Sequence, residues 1–162
     1  MEIIFQIDET FSKSVNPALI EKALVTTFRL YKPSPVVAES GAVSVVITDN
    51  ETVRRLNHQY RNIDAPTDVL SFQNPPDPDF PNSDVPAPYL GDIVIAYPVA
   101  EDQALAAGRP ASEETILLAV HGALHLLGFD HDTPTSKEKM WAAQRQIMAE
   151  LGLAHVVTDE YP

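Results

Sequence analysis

The sequence predicts an α+β fold: a small mixed β-sheet of about four strands packed with about five helices. Three observations lead there. Short β-branched runs at residues 42–48 (AVSVVIT) and 91–97 (GDIVIAY) are bounded by turn residues and read as buried strands. Longer stretches carry apolar residues at three- and four-residue spacing, the signature of a helix with one buried face. The order of the two kinds is β-α-β-α-β-β-α-α-α, which breaks the strict alternation of a parallel α/β protein. At 162 residues the chain is expected to form one domain spanning 1–162.

Each element has a local reason. Residues 1–8 (MEIIFQID) form a first strand, rich in Ile and Phe. Asn16-Pro17 supplies a helix start, with Asn as N-cap and Pro in the first turn. Ala18, Leu19, Ala23, Leu24, Phe28 and Leu30 then make one broad apolar face up to about Tyr31, and Lys32-Pro33-Ser34-Pro35 closes it. After the strand at 42–48, Asp49 or Asn50 caps a helix over 51–60. Asp64-Ala65-Pro66-Thr67 is a turn, and Val69, Leu70 and Phe72 lie in a third strand. Residues 73–88 hold six of the 14 prolines and read as a long surface loop. Residues 98–107 and 112–127 read as helices, the second ended by Gly128 in a left-handed cap. A last helix covers 135–151, and 153–162 is expected to be a loose tail.

Composition narrows the function. There are no cysteines, so disulfides, thiolate metal sites and a cysteine nucleophile are excluded. Any zinc site must use His, Asp or Glu. The longest uncharged apolar stretch, residues 115–127, is too short to span a bilayer, which needs about 20 residues. The acidic N-terminus, MEIIFQIDET, does not read as a secretory signal. A cytoplasmic protein with no membrane partner is expected. The formal charge of -12, from 11 basic against 23 acidic residues, runs against a general nucleic-acid binder.

Three of the five histidines fall within eleven residues, in His121-Gly122-Ala123-Leu124-His125-Leu126-Leu127-Gly128-Phe129-Asp130-His131. At 3.6 residues per turn, His121 and His125 stack one turn apart on one helical face. Both imidazoles can then converge on one ion at about 2.0–2.1 Å. Gly128 permits the positive φ that turns the chain back, so His131 can reach the same point. Three protein ligands leave one position of a tetrahedral zinc open, the catalytic rather than the structural pattern. One Zn2+ held by His121, His125 and His131 is the expectation. His58 and His155 read as ordinary surface histidines, on a separate helix and in the tail.

The spacing matches the zincin-like metal helix of metzincin proteases, H-E-x-x-H-x-x-G-x-x-H. Here Gly122 stands where those enzymes place the glutamate that serves as general base. A zinc protease or amidohydrolase on this scaffold therefore lacks its usual base, and remains the weaker alternative. A non-catalytic module with structural zinc is a second, and another phosphoesterase a third.

Three separated motifs resemble those of the YbeY endoribonucleases, which act in bacterial ribosomal RNA maturation. They are Leu56-Asn57-His58-Gln59-Tyr60-Arg61 with Asp64-Ala65-Pro66-Thr67-Asp68-Val69-Leu70-Ser71-Phe72; then Leu90-Gly91-Asp92-Ile93; then the histidine segment with Met140 downstream. Together they span about residues 56–140, and glycine after the first histidine is itself a mark of that family. Phe129 is a mild departure, since tyrosine is frequent there. The resemblance implies a metal-dependent endoribonuclease specific for single-stranded RNA, acting in 16S rRNA 3′-end maturation and ribosome quality control. It also implies that Arg61 is essential alongside the metal ligands. On the sequence alone Arg61 reads as a solvated charge at a helix end.

The residue types suit that chemistry. Phosphodiester cleavage gathers negative charge on the phosphoryl oxygens, which zinc can polarise and a guanidinium can hold in bidentate fashion. Arg54, Arg55 and Arg61 fall within eight positions, so a local positive strip near the site is expected despite the net charge. The acidic remainder points to guidance by a ribosomal protein or assembly-factor partner. Asp130 and Asp132 are read as ligand-orienting or turn-capping groups. No general base is assigned, and attack by water or by the RNA 2′-hydroxyl both stand open.

Overall fold

The expected strands and helices form, with additions and shifts that have local causes. The computed structural model describes residues 1–31, 35–74 and 88–156. β1 (Glu2–Ile7) leads through a 3-10 turn (Glu9–Phe11) to α1 (Pro17–Leu30), and α2 (Pro35–Ser40) precedes β2 (Ala42–Thr48). Then come α3 (Asn50–Arg61), β3 (Val69–Gln73), β4 (Tyr89–Ala96), α4 (Tyr97–Ala107), α5 (Ala111–Leu126) and α6 (Pro134–Glu150). The described residues thus hold six α-helices where five were expected. The extra one, α2, has only six residues, too few turns to write a periodic pattern.

Helix starts follow their caps. Asn16 Oδ1 accepts from the Ala18 N–H at 3.1 Å, and Asp49 Oδ1 from the Thr52 N–H at 2.7 Å. Thr133 and Ser136 form a reciprocal capping box ahead of Pro134, so α6 begins there.

The sheet is four-stranded in the order β1-β2-β4-β3. β1, β2 and β4 run parallel, and β3 lies antiparallel on the edge beside β4. Strand alternation sorts the core into two sides. Val43, Val45, Ile47, Ile93 and Ile95 pack with the apolar residues of α1, α5 and α6. Val94, Ala96 and Leu70 turn the other way, against Val53 and Leu56 of α3. α5 is the central helix. From Glu114 to Leu126 every residue except His125 is buried, which explains why its sequence shows an uncharged run rather than a polar face.

Gly91 fixes the edge strand. Its φ is +138°, and a Cβ there would lie 2.0 Å from the Phe72 carbonyl oxygen. Only glycine lets β3 approach β4 at this register.

One expectation shifts. Leu153 and Val156 pack into the core, with Val156 1% exposed, so the chain is anchored to at least Val156 rather than loose from residue 153. Residues 157–162 lie outside the described residues, as do 75–87 of the proline-rich loop expected at 73–88. No described helix is long and apolar enough to cross a membrane.

Candidate metal centre and active-site cleft

The three histidines come together as their spacing requires. One nitrogen each of His121, His125 and His131 lies within 4.8 Å of the others, the single such group of His, Asp and Glu among the described residues. The turn after α5 does this. Gly128 adopts φ +89°. Its N–H bonds to the His125 carbonyl, and the Phe129 N–H to the Leu124 carbonyl, both at 3.0 Å. That pair of bonds is a Schellman closure, which reverses the chain and returns His131 over the end of the helix.

The donor set fits a cation. His125 Nδ1 lies 2.9 Å from the Phe129 carbonyl oxygen, which only accepts, so Nδ1 carries the hydrogen and Nε2 the lone pair. His121 Nδ1 faces Oε1 of Gln144 at 3.1 Å, with the same consequence for its own Nε2. The two Nε2 atoms then face each other at 3.1 Å. Facing lone pairs repel unless a proton or a cation lies between them. Two nitrogens tetrahedrally bound at about 2.0–2.1 Å sit roughly 3.3 Å apart, close to what is found. A proton is disfavoured, because burial, and next the charge on His125, push His121 down to about 3. Burial and then His131 lower His125 as well. Both rings are therefore neutral at neutral pH, as nitrogen donors to a cation must be.

Groups on other elements hold this arrangement. Gln144 reaches His121 from α6 and is 3% exposed. Trp141, one turn earlier on α6, meets His121 and His131 edge to face at ring separations of 5.8 and 5.6 Å. From β3, Ser71 Oγ donates to the Gly122 carbonyl at 3.0 Å and Gln73 Nε2 to the His125 carbonyl at 2.7 Å. Gly122 is pressed on the sheet: a Cβ there would stand 2.8 Å from Ile93 Cγ2 and 3.1 Å from Ser71 Oγ. This position has no room for the glutamate that a metzincin carries. Asp130 Oδ1 accepts from the Asp132 N–H at 3.2 Å, a turn-capping role.

Arg61 shares a cleft of about 1000 Å³ with all three histidines. It is the last residue of α3, whose cap Asn62 takes the left-handed conformation at φ 56°. Beneath it, buried Asn57 donates from Nδ2 to the Ala65 carbonyl at 2.8 Å and pins the following turn to the helix. The expected positive strip is corrected to Arg61 alone. Arg54 is paired with Glu51 and with Asp64, and neither it nor Arg55 lines the cleft. His58 is exposed on α3 outside the cluster, and His155 bonds Glu113 at 3.0 Å.

The sequence by itself gives no site role to Gln144, Trp141, Ser71 or Gln73. No spacing rule links them to the histidines; only helix and strand packing does. Met140, fully buried beside Trp141, was the one pointer to α6.

Comparison with known proteins extends the picture. A family model described as Endoribonuclease YbeY matches residues 6–152. The chain is 46% identical over 121 residues to the Endoribonuclease YbeY of Geobacillus thermodenitrificans, covering 72% of this chain and 77% of that one. It is 39% identical over 150 residues to that of Roseiflexus castenholzii, covering 92% of each. The solution structure of TM1509 from Thermotoga maritima superposes with a TM-score of 0.54 at 24% identity, over 91% of this chain and 90% of that one, a likeness of fold.

Proposed function

The chain belongs to the endoribonuclease YbeY family, and from that premise we propose that it is a zinc-dependent endoribonuclease specific for single-stranded RNA. Its task in this reading is 16S rRNA 3′-end maturation and ribosome quality control in the cytoplasm. The observation that carries the proposal is the shared cleft: three convergent imidazoles and one guanidinium open onto the same space.

His121, His125 and His131 would hold the ion, each through one ring nitrogen. Imidazole donors suit zinc, and three of them leave a position for substrate. When bound, zinc supplies a Lewis acid that offsets phosphoryl charge and lowers the pKa of water. Arg61 binds two phosphoryl oxygens of the scissile diester and stabilises the charge they gather in the transition state. Among the described residues no carboxylate pairs with it, in contrast to Arg54, so its charge is available. Gln144 keeps His121 in the ligating tautomer, and the Phe129 carbonyl does so for His125.

The protease alternative is disfavoured by the packing of Gly122 on Ile93, which leaves no space for a base at that position. A structural-zinc module is disfavoured because no fourth described side chain joins the three histidines. The net charge of -12 supports delivery to ribosomal RNA by a ribosomal protein or assembly factor.

The test is cleavage of single-stranded RNA by the zinc-loaded protein, with Arg61→Ala and His121→Ala alongside. Wild type is expected to cut, and both variants to lose most activity. Zinc-loaded wild type that leaves RNA intact but releases peptides would overturn the proposal.

A further inference from the structure

An overall charge of -12 cannot give this chain much affinity for a polyanion through counterion release, and Arg54 is already neutralised by Glu51 and Asp64. Binding energy for a nucleic-acid strand must then come largely from uncharged contacts. The wall of the cleft next to Arg61 offers them. Tyr60 is 62% exposed and Ile63 45% exposed, flanking Arg61 in sequence and lining the same cleft. A scattered apolar residue on a surface is ordinary, but these two do not stand alone. The Tyr60 ring meets Phe72 edge to face at 5.1 Å, and Phe72 is seated on the core beneath α3. The exposed tyrosine therefore rests on a fixed support rather than sampling solvent freely.

A single-stranded ribonucleotide presents a phosphate and, one sugar away, the π-face of a base. Arg61 beside Tyr60 presents the complementary pair, a guanidinium and a braced aromatic surface. Resting on the ribonuclease reading above, we infer that Tyr60, supported by Phe72 and flanked by Ile63, is a stacking subsite for one unpaired nucleobase next to the phosphate that Arg61 holds. Bases within a duplex are already stacked and cannot splay onto the ring. The subsite thus gives a physical reason for discrimination against paired RNA, without any base-specific hydrogen bond.

The experiment measures KM for a short single-stranded oligoribonucleotide with zinc-loaded wild type, Tyr60→Ala and Tyr60→Phe. It is repeated on oligonucleotides in which each base in turn is replaced by an abasic ribose. Tyr60→Ala is expected to raise KM by roughly 5- to 150-fold, the range that one base–aromatic stack supplies. Tyr60→Phe, which keeps the ring, is expected to restore the wild-type value. At one position near the cleaved bond the abasic substitution should cost wild type the same factor and cost Tyr60→Ala nothing further. Unchanged KM in Tyr60→Ala, or a loss that is the same for every abasic position, would overturn the subsite while RNA cleavage itself stands. Wild type that neither binds nor cuts RNA would instead remove the ribonuclease reading, and the subsite with it.

Discussion

Gln144 Oε1 lies 3.1 Å from Nδ1 of His121, across the interface between α6 and α5, and both side chains are buried. The contact sets which nitrogen of His121 carries the hydrogen, and so which one can bind an ion. Outer partners of metal-bound histidines typically change affinity by about 10–100-fold. Gln144→Leu, similar in volume but without an acceptor, is expected to weaken zinc binding by roughly that factor. Gln144→Glu, a stronger acceptor, is expected to tighten it. Competition with a fluorescent chelator measures both, and nitrogen chemical shifts of His121 report the tautomer independently of activity.

The metal-free protein should lose stability on acidification in a defined window. His121 titrates near 6.5 in the unfolded chain and is pushed to about 3 when folded, chiefly by burial. The unfolded state therefore binds the extra proton between those values. The contribution of His121 is fully present above about pH 6.5 and declines as the pH falls toward about 3. His125 acts in the same direction. The depressed carboxylates Asp49 and Asp130 lose their contributions only below 3.8, so the upper part of the window isolates the imidazoles. Urea midpoints of metal-free protein are expected to fall from pH 6.5 to 4.5, with a shallower slope in His121→Leu. A midpoint that rises on acidification would contradict the burial of neutral rings.

Arg61→Ala is expected to lower the cleavage rate by about 10²–10³-fold, the usual loss of one donor to transition-state charge. Zinc content should be unchanged, because Arg61 shares the cleft but is not among the three convergent nitrogens. Arg61→Lys should recover little, since an ammonium cannot bind two oxygens in bidentate fashion. Single-turnover kinetics with metal analysis separates these effects.

Gly91→Ala should unfold the edge of the sheet. The added Cβ would collide with the Phe72 carbonyl at 2.0 Å, on a backbone at φ +138°. Strain of this kind costs about 1–3 kcal/mol before any clash is added. The β3 residues Ser71 and Gln73 brace α5 through the Gly122 and His125 carbonyls, so zinc affinity should fall together with the thermal midpoint. Ordinary stability in Gly91→Ala would show that β3 has another route to its register.

What could be seen in the sequence follows from the range of the interactions. The convergence of His121, His125 and His131 was legible because a helical repeat and one glycine, both local, define their geometry. β2 and β4 were legible from the β-branched runs at 42–48 and 91–97, although Tyr97 opens α4 rather than ending the strand. The edge position of β3 was not, because the approach that defines it depends on a single glycine across the ladder. Arg61 entered through family resemblance, since a lone cation at a helix end carries no local sign of its use. The positive strip failed for a related reason: Asp64, which ties up Arg54, sits in the turn beyond the helix, where helical spacing says nothing. Gln144 lies 23 residues from His121, and only the docking of α6 on α5 joins them.

X-ray absorption at the zinc edge of the zinc-loaded protein tests the centre of the account. Three imidazole nitrogens at about 2.0–2.1 Å, with one further light-atom ligand that exchanges with added phosphate, is the expected result. A sphere with fewer than three imidazoles, or one closed by a fourth protein ligand, would contradict it.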